Sequence, residues 1–133
     1  MLRHCLLVAM LVVVPPAAIA QDDPAARLRA AAARGDATEV GRLLGSSVLL
    51  DAKDGDGQTA LLLATAGGHT AVAKALIDAG ASINVVARNM DTPWMLAGAR
   101  GHADILRLML PKGPDYGLRN RFGGNALIPA CER

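Results

Sequence analysis

Apolar residues along this chain fall into short clusters, and the clusters come in pairs. Leu61-Leu62-Leu63-Ala64 is followed by Val72, Ala75, Leu76 and Ala79 at helical spacing, and Trp94-Met95-Leu96-Ala97 by Ile105, Leu108 and Met109. Thr59 and Thr92 stand just before the first cluster of each pair, where a hydroxyl accepts from the orphan amides of a first helical turn. Pro93 follows Thr92 at the one helical position that has no use for its missing donor. Gly67-Gly68 and Gly101 then stop the first helix through a left-handed cap, and Gly80 stops a second one. The pattern predicts two short antiparallel helices and an extended turn, used more than once.

The repeat has a fixed length. Thr59 through His69 and Thr92 through His102 say nearly the same thing 33 residues apart (59 to 92). One step back on that frame, Ala26 through Asp36 aligns Gly35 with Gly68 and Gly101; one step forward, Asn125 begins another copy. Self-similarity at this period means a stack of small units, none able to bury its apolar face alone. The expected fold is an all-α repeat, an α-solenoid.

The stretch from Asp51 to Ala81, with the Thr92-Pro93 pair and the Gly68-His69 and Gly101-His102 pairs, closely resembles ankyrin repeats. The resemblance covers about residues 24 to 133. It implies stacked helix-turn-helix units, each with a β-hairpin-like finger at roughly a right angle to its helix pair. The units are expected at about 24–50 (an N-terminal cap carrying Arg27, Arg29, Arg34 and Asp36), 51–83, 84–116 and a partial 117–133. The resemblance gives Thr59, Gly68, His69, Thr92, Pro93, Gly101 and His102 structural roles, the histidines as caps of the second helix that bond across the turn. Trp94 takes the place of Leu61 and Leu127 and so belongs in the core.

Several positions depart from the family pattern. The place usually held by histidine in the first helix is Leu62, Met95 and Ile128. The finger-turn glycine is Gly57 and Gly123, but Met90 between them; a methionine held in the left-handed conformation costs about 1–2 kcal/mol. Either that finger is reshaped or Met90 is kept for contact. Pro129 falls inside a first helix, where it removes a hydrogen bond. The last unit stops at Arg133 before a second helix, so the natural protein is expected to continue further.

The first twenty residues are a different object. Arg3 and His4, the apolar run Cys5 to Val14, Pro15-Pro16 and the small residues Ala18-Ile19-Ala20 have the order of a secretory signal peptide. A membrane span needs about 20 apolar residues, and this run is shorter, so cleavage after Ala20 is expected. Residues 21–133 would then form the mature repeat domain, periplasmic or secreted, with no membrane segment left. Cys5 precedes the apolar run, which disfavours a lipoprotein. Cys131 is then the only cysteine and makes no internal disulfide.

Composition adds little. Half of the chain is apolar, yet it holds one Trp, one Tyr and one Phe, so the core is built from Ala and Leu. A formal charge of +2 without a dense basic stripe argues against nucleic acid. Candidate chemistry is sparse. His69 and His102 sit in equivalent places of successive units, about 8–10 Å apart by helix packing, whereas imidazoles sharing a metal lie about 2 Å from it. Asp54-Gly55-Asp56-Gly57 lacks the spacing of a calcium loop, and a Cys131–His102 pair is answered by Cys131 matching the small positions Thr65 and Gly98. No cofactor is implied and no catalytic constellation converges.

The favoured function is therefore non-enzymatic: binding of a protein partner through the concave face that the family resemblance assigns to fingers and first helices. Its contact positions here are Lys53, Gly55, Asp56 and Gln58; Val86, Arg88, Asn89, Met90 and Asp91; Ala66, Gly67, Ala99 and Arg100; and Arg119, Arg121, Phe122 and Gly124. Their character turns Arg-rich along the stack, which predicts a partner with an acidic patch. Phe122, aromatic and flanked by Arg121, has the look of an interface anchor. The alternative is a truncated or degenerate fragment with no independent binding.

Overall fold

The computed structural model describes residues 23–46, 48–121 and 123. Residues 1–22, Ser47, Phe122 and the segment 124–133 with Leu127, Ile128, Pro129 and Cys131 lie outside the described residues.

Among the described residues three helix pairs follow one another: α1 (Pro24–Arg34) with α2 (Ala37–Leu44), α3 (Ala60–Gly67) with α4 (Thr70–Asp78), and α5 (Pro93–Arg100) with α6 (Ala103–Met109), followed by a 3-10 turn at Leu110–Lys112. The first helices α1, α3 and α5 stack in one row and α2, α4 and α6 in a second, each pair also packing within itself. No strand occurs among the described residues. The architecture is the all-α repeat solenoid expected from the period.

Local chemistry sets the helix ends. Thr59 Oγ1 accepts from the Leu62 amide at 3.4 Å and Thr92 Oγ1 from the Met95 amide at 3.2 Å. The first helices all end at a left-handed glycine, with φ of 74° at Gly35, 69° at Gly68 and 73° at Gly101. After each, the next amide turns back to the carbonyl five residues earlier, Asp36 to Ala31, His69 to Ala64 and His102 to Ala97, all at 2.9 Å. This is the glycine-capped stop that leaves few carbonyls orphaned. The second helix of the middle unit ends one residue earlier than expected: Ala79 is its cap in the right-handed region and Gly80, at φ 98°, follows. Its apolar face also differs slightly. Val72, Ala73, Leu76 and Ile77 are buried, while Ala79, beyond the last turn, is exposed.

The core is a ladder of equivalent positions. Leu28, Leu61 and Trp94 are all buried, as are Ala31, Ala64 and Ala97. The alanines let the stacked first helices approach, and the large residues fill the space beside them; each such burial contributes about 1.5–3 kcal/mol. Trp94 is in the core, as its alignment with Leu61 required, and its ring meets Tyr116 edge-on with centroids 5.5 Å apart. The first unit does carry a polar outer side: Glu39 holds Arg27 at 2.8 Å and Arg42 at 3.0 Å. Arg29 instead reaches the next unit's Ala52 carbonyl at 3.3 Å, and Asp36 caps α2 through the Glu39 amide at 3.1 Å.

Candidate functional site: the finger and inner-helix face

The fingers are hairpin-like turns held by their own backbones. The Asp54 amide donates to the Gln58 carbonyl at 3.0 Å and the Ala87 amide to that of Asp91 at 2.9 Å. Across each tip a shorter bond closes the turn, Gly57 to Asp54 at 3.0 Å, Met90 to Ala87 at 2.9 Å and Gly123 to Asn120 at 2.9 Å. Side chains finish the job differently in the two complete fingers. Asp54 Oδ1 accepts from the Asp56 amide at 2.8 Å and the Gln58 amide at 2.9 Å. Its counterpart is Ala87, which has no such group, and there Asn89 takes over: Oδ1 accepts from the Asp91 amide at 3.2 Å and Nδ2 donates to Asp91 Oδ2 at 2.6 Å.

The middle finger is not reshaped around its methionine. Met90 sits at φ 66°, beside 73° at Gly57 and 75° at Gly123, so the left-handed strain is real, about 1–2 kcal/mol. Its side chain is 49% exposed, and burial therefore returns little of that cost within the fold.

Successive fingers are tied together. Lys53 Nζ donates to the Val86 carbonyl at 3.0 Å and the Arg88 amide to the Asp56 carbonyl at 3.1 Å. At the finger bases Asp51 Oδ1 accepts from the Ser82 amide and Asn84 Oδ1 from the Asp115 amide, both at 2.8 Å. Lys53 and Asn89 thus act inside the fold, bracing the positions around them.

Two clefts open on this face. One, of about 140 Å³, lies between fingers and first helices, with Leu62, Ala66, Ala87 and Leu96 among its walls and Gln58, Asn89, Asp91 and Arg100 as its polar groups. The other, of about 280 Å³, lies at the finger tips between Asp56, Gln58, Arg88, Asn89 and Arg121. Of the sequence-derived contact residues, Asp56, Gln58, Ala66, Arg88, Asn89, Asp91, Arg100 and Arg121 are gathered here. Met90 stands outside both clefts. Arg119 reaches the Gly123 carbonyl at 3.5 Å in the third finger. Phe122 is outside the described residues. Gly67 is exposed, and a Cβ there would run into the His69 ring, so its missing side chain leaves room for that ring.

The histidines turn out to be inter-unit joints. Neither caps its helix through the side chain: α4 and α6 begin at His69 and His102 with no side-chain cap bond. Instead His69 Nε2 lies 3.1 Å from the Ala33 carbonyl of the preceding unit, and His102 packs its ring over Gly68. The apolar walls at Leu62 and Leu96 were not among the sequence-derived contacts. Their signal was the run Leu61-Leu62-Leu63, since a helix apolar on every side has to be covered on every side.

A stack of helix pairs with projecting fingers and open clefts between them is a helical repeat scaffold. The chain belongs to the ankyrin repeat family: the family model described as ankyrin repeats in three copies matches residues 28–133. It is 38% identical over 103 residues to the ankyrin repeat protein YahD of Escherichia coli (strain K12), covering 77% of this chain and 51% of that protein. It is 30% identical over 92 residues to Inversin of Danio rerio, covering 69% of this chain and 9% of that protein. Among solved structures, the crystal structure of the ankyrin repeat protein EF0377 superposes with a TM-score of 0.77 at 41% identity, over 81% of this chain and 55% of that one. The chain thus spans about half the length of YahD and EF0377. Ankyrin repeats generally mediate protein–protein interaction and are typically non-enzymatic.

Proposed function

We propose that this protein is an exported, non-enzymatic binding module that holds a protein partner bearing an acidic patch on its concave face. The observation that carries this reading is the pair of clefts, where Arg88, Arg100 and Arg121 border polar and apolar walls that nothing in the described structure covers. Arg88 and Arg100 make no side-chain hydrogen bond or ion pair among the described residues. Arginine suits carboxylate recognition because its planar fork pairs with both oxygens. The lining also holds Asp56 and Asp91, so its charge is mixed; this favours a defined protein surface over a polyanion. Met90 supplies an apolar, adaptable contact beside it.

Export is proposed from the order of Arg3-His4, the apolar run and Ala18-Ile19-Ala20, giving a periplasmic or secreted protein. The binding reading is tested by reversing Arg88, Arg100, Arg119 and Arg121 to Glu and measuring binding of the partner that co-purifies with the wild-type chain. Loss of binding with an unchanged melt supports it. Retained binding places the partner elsewhere.

A further inference from the structure

The half-buried Gln58 lines both clefts, and so does Asn89. The two amides are not equivalent. Asn89 spends its oxygen and its nitrogen on Asp91. Gln58 is held by its backbone to Asp54, while its side-chain amide has no hydrogen bond among the described residues and so reaches solvent. A donor and an acceptor on a hydrogen-bonded finger match a peptide group, which carries one of each. An α-helix has used its interior backbone N–H donors on itself, so along its length it has no amide N–H to give the Gln58 oxygen. The helix-side cleft is also small: about 140 Å³ admits a single side chain.

Charge and polarity set the rest. On the helix side Ala66 and Leu96, with the buried Leu62 beneath, offer an apolar floor bordered by Asp91 and Arg100; at the finger tips Arg88, which makes no side-chain ion pair among the described residues, shares the cleft with Asp56 and Arg121. We infer that the two clefts form one track for an extended segment of the partner, its backbone paired with the Gln58 amide, a small apolar residue on the Leu62–Leu96 floor, and acidic side chains facing Arg100 and Arg88. This rests on the reading that the concave face takes a protein, and adds the conformation and chemistry of the bound segment. Gln58 is then the residue that selects an extended chain over a helix.

The test is a display library of random short peptides panned on the immobilised full chain. The selected peptides are then measured by fluorescence anisotropy against the wild type, Gln58→Leu and Arg100→Glu, with thermal melts of all three. The track predicts peptides with Asp or Glu on either side of a small apolar residue. It also predicts about tenfold weaker binding by Gln58→Leu, loss of binding by Arg100→Glu, and melts that match the wild type. Selection of peptides with helical spacing, tighter binding of helix-stapled forms, or unchanged affinity in Gln58→Leu overturns it. If panning returns no binder while the arginine reversals still release the co-purified partner, the extended track is wrong and the protein-binding reading stands. If the reversals also leave that partner bound, both are wrong.

Discussion

His69 Nε2 lies 3.1 Å from the carbonyl oxygen of Ala33, a residue of the preceding unit. The ring reaches that carbonyl because two glycines clear its way. A Cβ on Gly35 would stand 2.5 Å from His69 Nδ1, and one on Gly67 would overlap the same ring. One side chain therefore joins two units, and its seat requires two residues without side chains.

The two glycines separate cleanly by mutation. Gly35 also has φ 74°, so Gly35→Ala combines a left-handed penalty of about 1–2 kcal/mol with displacement of the ring. Gly67 has no such conformation, and Gly67→Ala isolates the contact. It is expected to destabilise the wild type, yet to become neutral or favourable, by at most about 0.5–1 kcal/mol, in a His69→Ala background. Chemical denaturation of the four-member cycle reads the sign change. A Gly67→Ala cost that survives removal of the ring contradicts the joint. Gly41, inside α2 with nothing near its would-be Cβ, serves as a control in which Ala stabilises.

Met90→Gly is expected to raise stability. Relief of the left-handed strain is about 1–2 kcal/mol, reduced by the extra freedom glycine gives the unfolded chain, about 0.4–1 kcal/mol. The net gain is roughly 0.5–1 kcal/mol, read as a shifted denaturation midpoint. Partner binding should weaken in the same variant, because the methionine is retained at a cost that the fold alone does not recover. A variant both more stable and equally tight in binding would remove Met90 from the interface.

Trp94, the only tryptophan, reports on the last described unit. Tyr116→Ala uncovers its edge and removes a ring pair that contributes about 0.5–1.5 kcal/mol. Emission should move to longer wavelength and the melt should fall. Trp94→Ala should cost more, about 3–5 kcal/mol, since it empties the core ladder beside Leu61.

Asp78 offers a pH test away from the clefts. Its carboxylate receives a hydrogen bond from Lys74 Nζ at 2.6 Å. That bond first, and the Lys74 and Lys112 charges with it, hold the carboxyl below its ordinary pKa against the opposing effect of burial. A depressed folded pKa contributes stability above the ordinary carboxylate pKa, and this is lost as pH falls through the depressed one. NMR titration should find the Asp78 pKa rising in Lys74→Ala, with the melt at neutral pH nearly unchanged because the pair is exposed.

Much of the fold was legible because a period is a one-dimensional signal. The offset between Thr59 and Thr92 placed caps, stops and core in register, and it put Trp94 inside by its alignment with Leu61. What escaped was geometry between units. Nothing local says that His69 turns back to Ala33 instead of capping its own helix, that Lys53 braces Val86, or that Gln58 borders two clefts at once. Each depends on how successive units are offset in space. The proposed contact residues were chosen by departure from the repeat, which singled out Met90 and the arginines; it passed over Leu96, a half-buried wall of the helix-side cleft whose apolar character looked like ordinary core.

Export is checked by sequencing the N-terminus of the protein recovered from the periplasm, which should begin at Gln21. A chain recovered from the cytoplasm and still starting at Met1 contradicts cleavage.

The central claim is that the finger and inner-helix face is where a protein partner sits. Its most direct test is site-specific photo-crosslinking, with the photoreactive residue placed at Gln58 or Arg100 on that face and at Lys74 or Arg107 on the second-helix row. Adducts to one protein from the first two positions, and none from the last two, are the expected result. Adducts from Lys74 or Arg107 with silence at Gln58 and Arg100 would contradict the account.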